Sequence, residues 1–146
     1  MGLNDLVYYT VTGLSEEGRT PFGLSEEPAV VIALNKETGS IVWSFGLDSR
    51  CESSPVAVYD TDGRGWIIQC EQNGTIHLLD GLTGKEINSL KVNGEIEASP
   101  AVYSNVMVIG TTGKGTSFIY GIEIRNNEAP ANNQQEDGDE EDSGGA

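Results

Sequence analysis

One spacing constrains this chain more than any other feature. Thr38-Gly39 recurs as Thr83-Gly84, and Ser54-Pro55 recurs as Ser99-Pro100, each 45 residues on. Two independent dipeptides sharing one interval mark an internal repeat, and a period of that size belongs either to stacked helical units or to four-stranded β units. The residues between the marks decide for strands. Residues 55–59 form a short β-branched run, and 66–70 form a second after the turn Asp60-Thr61-Asp62-Gly63-Arg64-Gly65. Asn73-Gly74 is a strong hairpin signal because both residues tolerate positive φ. Residues 75–79 return from that turn, Asp80-Gly81-Leu82-Thr83-Gly84 turns again, and 86–90 completes a unit of four strands.

Three strands are predicted before this unit (6–12, 29–34 and 40–45) and three after it (100–103, 106–110 and 117–124). The expected fold is therefore all-β: about two and a half four-stranded antiparallel blades of a β-propeller, a partial ring over residues 1–125. The blades span about 6–45, 54–90 and 100–124. The first lacks an innermost strand and the last an outermost one. A propeller closes as a ring of typically four to eight blades, so the chain reads as the C-terminal part of a larger propeller. Its expected partners are the remaining blades of a parent ring, or other copies meeting through exposed blade edges.

Charge narrows the function classes. The formal net charge is −15, and the 21 residues 126–146 carry seven acids and no base. Such a chain is ill suited to gripping phosphate backbones, so no nucleic acid is expected. It has no apolar run of 18 residues, so no membrane insertion is expected, and its first residues lack the basic and apolar stretches of a signal peptide. The tail 126–146 has no aromatic or β-branched residue and reads as disordered and acidic.

The stretch Ala33-Leu34-Asn35-Lys36-Glu37-Thr38-Gly39-Ser40-Ile41-Val42-Trp43 resembles the tryptophan-docking motif A-x-D-x-x-T-G-x-x-x-W of PQQ-like β-propeller repeats. Ala33, Asn35, Thr38, Gly39 and Trp43 carry the likeness, with Asn35 where Asp is usual. In the second copy Asp80, Thr83 and Gly84 fall in register, Leu78 replaces the Ala and Asn88 replaces the Trp; residues 120–124 keep no motif. The Ser-Pro openings are similar to the family as well, and the resemblance spans roughly residues 6–124. It implies structural roles: the Thr-Gly pair turns the chain, the residue ahead of it bonds backbone amides, and Trp43 packs between blades.

The family holds quinoprotein alcohol dehydrogenases, whose propeller carries PQQ and Ca²⁺, and non-enzymatic scaffolds such as the barrel-assembly lipoprotein of bacterial outer membranes. The quinoproteins have an adjacent Cys-Cys pair at the cofactor, whereas Cys51 and Cys70 lie 19 apart. No catalytic or cofactor-binding residue carries over by motif, and PQQ binding is not supported by the residues. The resemblance places a parent protein outside the cytoplasm or at the cell surface. The expected function is a non-enzymatic scaffold or interaction segment. The alternatives are the C-terminal end of a quinoprotein-type oxidoreductase and a small Ca²⁺-binding β module.

The calcium alternative rests on Asp60, Asp62 and Glu71, which match positions 1, 3 and 12 of an EF-hand loop. Arg64 stands at position 5, where a hard cation needs oxygen. A hairpin turn is the plainer reading, and no calcium is expected. Residues 110–116 resemble a phosphate loop only loosely, because Val108 and Gly115 occupy two of its defining places. Gly-Leu-Ser-Glu-Glu occurs at 13–17 and again at 23–27, in a stretch read as a solvated insertion. Asn73-Gly74-Thr75 is a glycosylation sequon already explained by the turn. His77 stands alone in mid-strand with no expected carboxylate partner, and Cys51 and Cys70 are expected as free thiols.

Overall fold

A computed structural model describes residues 3–12 and 28–125 of the 146-residue chain. A single 3₁₀ turn, Leu3–Asp5, leads into ten strands: β1 (Leu6–Thr12), β2 (Ala29–Asn35), β3 (Ile41–Leu47), β4 (Val56–Tyr59), β5 (Gly65–Cys70), β6 (Thr75–Asp80), β7 (Glu86–Lys91), β8 (Ala101–Tyr103), β9 (Val106–Thr111) and β10 (Phe118–Glu123). They form three antiparallel sheets, β1-β2-β3, β4-β5-β6-β7 and β8-β9-β10, each in sequence order. This is the expected partial propeller of one complete and two three-stranded blades. The repeated Gly-Leu-Ser-Glu-Glu stretch and the acidic tail lie outside the described residues.

The blades stack face to face because strand side chains alternate between two faces. One core joins Val31, Ala33, Trp43 and Leu47 of the first blade to Ile67 and Leu79 of the second. The other joins Ile68, Cys70 and Ile76 of the second blade to Met107 and Ile109 of the third. Within β5, then, Ile67 points into one core and Ile68 into the other. That explains why its sequence is nearly continuously apolar and not alternating: a strand covered on both faces has no solvent side.

The repeat survives in fine detail. Asn35 Oδ1 accepts hydrogen bonds from the backbone amides of Glu37 (2.9 Å) and Thr38 (3.0 Å). Forty-five residues on, Asp80 Oδ1 accepts from Leu82 (3.0 Å) and Thr83 (2.9 Å). The turn needs an acceptor, not a charge, so Asn serves where Asp is usual. A register irregularity falls between Ala33 and Leu34 and again between Leu78 and Leu79, the same place in both blades. The Ser-Pro openings touch: the amide of Ser54 donates to Ser99 Oγ at 2.8 Å, bonding two residues one full period apart.

Candidate functional site

The residues singled out by the motif meet at the joint between the first two blades. Trp43 is buried and its Nε1 donates to the backbone carbonyl of Gly81 at 3.0 Å. Tyr8 Oη donates to the same carbonyl at 2.8 Å, and the two rings are tilted against each other with centroids 5.8 Å apart. Burial raises the Tyr8 hydroxyl to about 12, with the Tyr59 and Asp80 charges adding to the rise, so it stays a donor. The indole lies on Gly84. A Cβ built there would stand 2.5 Å from Trp43 Cε3 and 2.6 Å from Cδ2, and Gly84 has φ +71°. Glycine is required twice over, for the left-handed backbone and for the space under the ring. The motif thus works across blades: the Trp of one copy rests on the Thr-Gly turn of the next.

A buried polar cluster closes the same joint. Gln69 Nε2 donates to Cys51 Sγ at 2.7 Å and to Ser53 Oγ at 3.1 Å, while its Oε1 accepts from Thr10 Oγ1 at 2.6 Å. Ser53 Oγ donates to the carbonyl of Cys70 at 2.7 Å. Polar groups buried this deeply hold a joint only when paired, and these are.

His77 corrects the reading made from the sequence, which gave it no carboxylate partner. Its Nε2 is 2.5 Å from Glu71 Oε1, and its Nδ1 is 2.5 Å from Glu86 Oε2. Glu71 is fully buried, and its other oxygen accepts from the amide of Ser49 at 2.7 Å. Phe45 of the first blade packs edge-on against the imidazole, with centroids 5.3 Å apart. Burial alone would lower the His77 pKa, but the hydrogen bonds to Glu71 and Glu86 and their charges outweigh it and raise it. For Glu71, burial pushes upward, yet the bonds from His77 and Ser49 bring its carboxyl below the usual range. With a carboxylate on each ring nitrogen, His77 is held as the imidazolium, since only that form donates from both.

The three calcium candidates are not brought together. Asp60 Oδ1 accepts from the amides of Asp62 (2.9 Å) and Arg64 (2.8 Å), and Oδ2 takes the Arg64 guanidinium at 3.1 Å. Glu71 follows the far end of β5, roughly 20 Å away along a six-residue strand. Among the described residues no group of three His, Cys, Asp or Glu is arranged to hold a metal ion. Cys51 and Cys70 are free and buried, and they belong to the two different cores. Burial raises both thiols, Cys70 to about 12.

Comparison with known proteins places these features. The family model described as outer membrane protein assembly factor BamB matches residues 27–129. The β-alanine-activating enzyme of Danio rerio is 27% identical over 99 residues, covering 64% of this chain and 8% of that one. Among solved structures, a europium-containing methanol dehydrogenase superposes with a TM-score of 0.54 at 22% identity, over 66% of this chain and 20% of that one. BamB from Moraxella catarrhalis gives 0.46 at 24% identity, over 64% of this chain and 27% of that one. The chain spans only a minor part of each of these relatives, and the dehydrogenase likeness bears on fold alone. With the greater part of its length inside the family match, and with the tryptophan of one copy docked on the turn of the next, the chain belongs to the PQQ-like β-propeller repeat family of outer membrane protein assembly factor BamB.

Proposed function

We propose that this chain is a non-enzymatic propeller segment, a scaffold whose end blades pack against further blades of the same kind. One observation carries the reading. The middle blade is covered on both faces, whereas the third blade presents apolar side chains on its outward face and the first presents Val7 and Tyr9 on its edge strand, beside the buried Val30 and Ile32. On the third blade these include Tyr103 (89% exposed) and Ile119 (81%); on the first, Val7 is 51% exposed and Tyr9 62%. Aromatic and β-branched residues in rows on a sheet face suit another sheet, not water.

Quinone chemistry finds no support among the residues described. Cys51 and Cys70 are buried free thiols, each pushed up by burial, and the Cys51 thiol donates to the Cys70 carbonyl at 2.9 Å. The reading assigns no cofactor and no catalytic step.

The reading is tested with the full chain by sedimentation velocity over a hundredfold concentration range. Wild type is expected to self-associate, because a second copy supplies a blade face when no other is present. The double variant Tyr103→Lys/Ile119→Lys is expected to sediment as a monomer with unchanged circular dichroism. A wild-type chain that stays monomeric at every concentration and unfolds cooperatively overturns the proposal.

A further inference from the structure

The two blade joints can be compared position by position through their registers. On the first blade Tyr8 pairs with Ala33, and Ala33 with Trp43, forming a row that faces the 80–84 turn of the next blade. On the middle blade Ile68 pairs with Leu78, and Leu78 with Asn88. Leu78 and Asn88 stand 45 residues after Ala33 and Trp43, so this is the same row one repeat later. Its two ring-bearing positions now hold isoleucine and asparagine. Opposite it, Arg125 stands where Asp80 stands one repeat earlier, and the Asp-x-x-Thr-Gly turn is gone from the sequence.

A groove of about 240 Å³ lies where the rings would be. Ile68, Leu78 and Asn88 form one wall, and Ile122, Ile124 and Arg125 form the other. Ile76, Leu90 and Met107 add apolar surface. Leu90 is 47% exposed at this groove, more open than a leucine in a finished joint. Apolar space lined in this way takes up small aromatic molecules when no side chain of the protein fills it. The groove also adjoins the edge of β10, which among the described residues pairs with β9 alone, whereas its counterpart β6 is paired on both sides.

We propose that this groove is a receptor site for a tryptophan side chain, carried by an extended partner segment that lies along the edge of β10. The first joint shows what the site is shaped for, since an indole fills the equivalent position there. The Arg125 guanidinium is taken by Glu123 at 2.6 Å and the Asn88 oxygen by the amide of Ser89 at 2.9 Å, so what the groove offers an indole is its apolar walls. The partner's backbone would bond to the β10 edge, giving affinity, and its tryptophan would enter the groove, giving selectivity. This is independent of whether further blades cover the outward faces.

The test uses the full chain with methyl-labelled Ile, Leu and Met, titrated with N-acetyl-tryptophanamide and, separately, N-acetyl-leucinamide. The expected result is a saturable shift of the Leu78, Leu90, Met107 and Ile122 methyl signals. The Kd should be about 1–10 mM for the tryptophan amide, as befits a single apolar fragment, and at least about fivefold weaker for the leucine amide. Asn88→Trp fills the groove from within and should abolish the shifts, whereas Asn88→Ala should keep them. Leu90→Lys, at an exposed position that the fold tolerates, should weaken binding about tenfold, so the outcome does not hang on the folding of Asn88→Trp. A strand-forming hexapeptide with one central tryptophan should bind at least about tenfold more tightly than the amide. No saturable shift, equal affinity for both amides, or binding unaffected by Asn88→Trp and Leu90→Lys overturns the site. A hexapeptide no tighter than the amide overturns the extended partner.

Discussion

Gly84→Ala is the sharpest probe of the first joint, because Gly39→Ala is its built-in control. Both glycines close the same turn one repeat apart, with φ of +71° and +70°. Placing an L-residue in that region costs about 1 kcal/mol at either position. Their surroundings differ completely: a Cβ at Gly39 meets nothing within 4 Å, whereas one at Gly84 would stand 2.5 Å from the Trp43 ring. The indole must lift, at about 1–3 kcal/mol for overpacking, and its hydrogen bond to the Gly81 carbonyl is put at risk, about 1 kcal/mol more. Gly39→Ala should therefore cost about 1 kcal/mol and Gly84→Ala about 3–5 kcal/mol. Urea titration followed by far-UV circular dichroism measures both. The decisive comparison repeats the pair in a Trp43→Ala background, where the ring is absent and the two glycine substitutions should cost the same to within about 0.5 kcal/mol. Equal costs in the wild-type background, or a difference that persists without Trp43, would refute the docking argument.

Other expectations follow from the same geometry. The His77 pKa is raised, so its contribution to stability is full below about 6.5 and is lost as pH rises through the folded value. The Glu71 pKa is lowered, so its contribution is present above about 4.5 and is lost as pH falls through its folded value. Urea midpoints should therefore peak in weakly acidic buffer and decline toward pH 9, and His77→Gln should flatten the alkaline decline. Asn35→Ala removes the acceptor of two backbone amides and should lower stability by about 1 kcal/mol, while Asn35→Asp should be neutral to within about 0.5 kcal/mol. Because both thiols are buried and raised, a disulfide reagent should label neither Cys51 nor Cys70 in native protein at pH 8 and both in urea; rapid native labelling of either would contradict its placement.

The architecture was legible because its marks are local. Thr38-Gly39, Thr83-Gly84 and Asn73-Gly74 fix turns whose chemistry acts within a few residues, and the strands between them follow from length and β-branching. Only small shifts of boundary separate expectation from structure, such as β3 ending at Leu47 and not at residue 45. The Glu71–His77–Glu86 cluster was missed because its logic is diagonal. Cys70 pairs with Ile76, which puts Gln69, Glu71 and His77 on one face, and Glu86 arrives only through the irregularity between Leu78 and Leu79. The Asn73-Gly74 hairpin register could have revealed the Glu71 half of it. The Glu86 half needed the bulge, which no residue type announces. The partner of Trp43 was hidden for another reason. A glycine kept clear for a ring 41 residues earlier looks in sequence like any turn glycine, and only the stacking of the blades distinguishes Gly84 from Gly39.

The carbonyl of Gly81 receives both Tyr8 and Trp43, and Gly84 lies beneath the same indole. The indole has no seat without that glycine, whereas the glycine without the indole would answer only to its turn, as Gly39 does. A lineage that loses the tryptophan leaves its glycine held by the backbone alone, and one that loses the glycine makes the tryptophan a burden. The second joint looks like a lock released in this way: Asn88 replaces the ring, and Arg125, Glu128 and Ala129 stand where Asp80, Thr83 and Gly84 would recur. Substitutions in chains of this kind should therefore travel in pairs 41 positions apart, and a mismatched pair is the mark of a joint caught in mid-exchange.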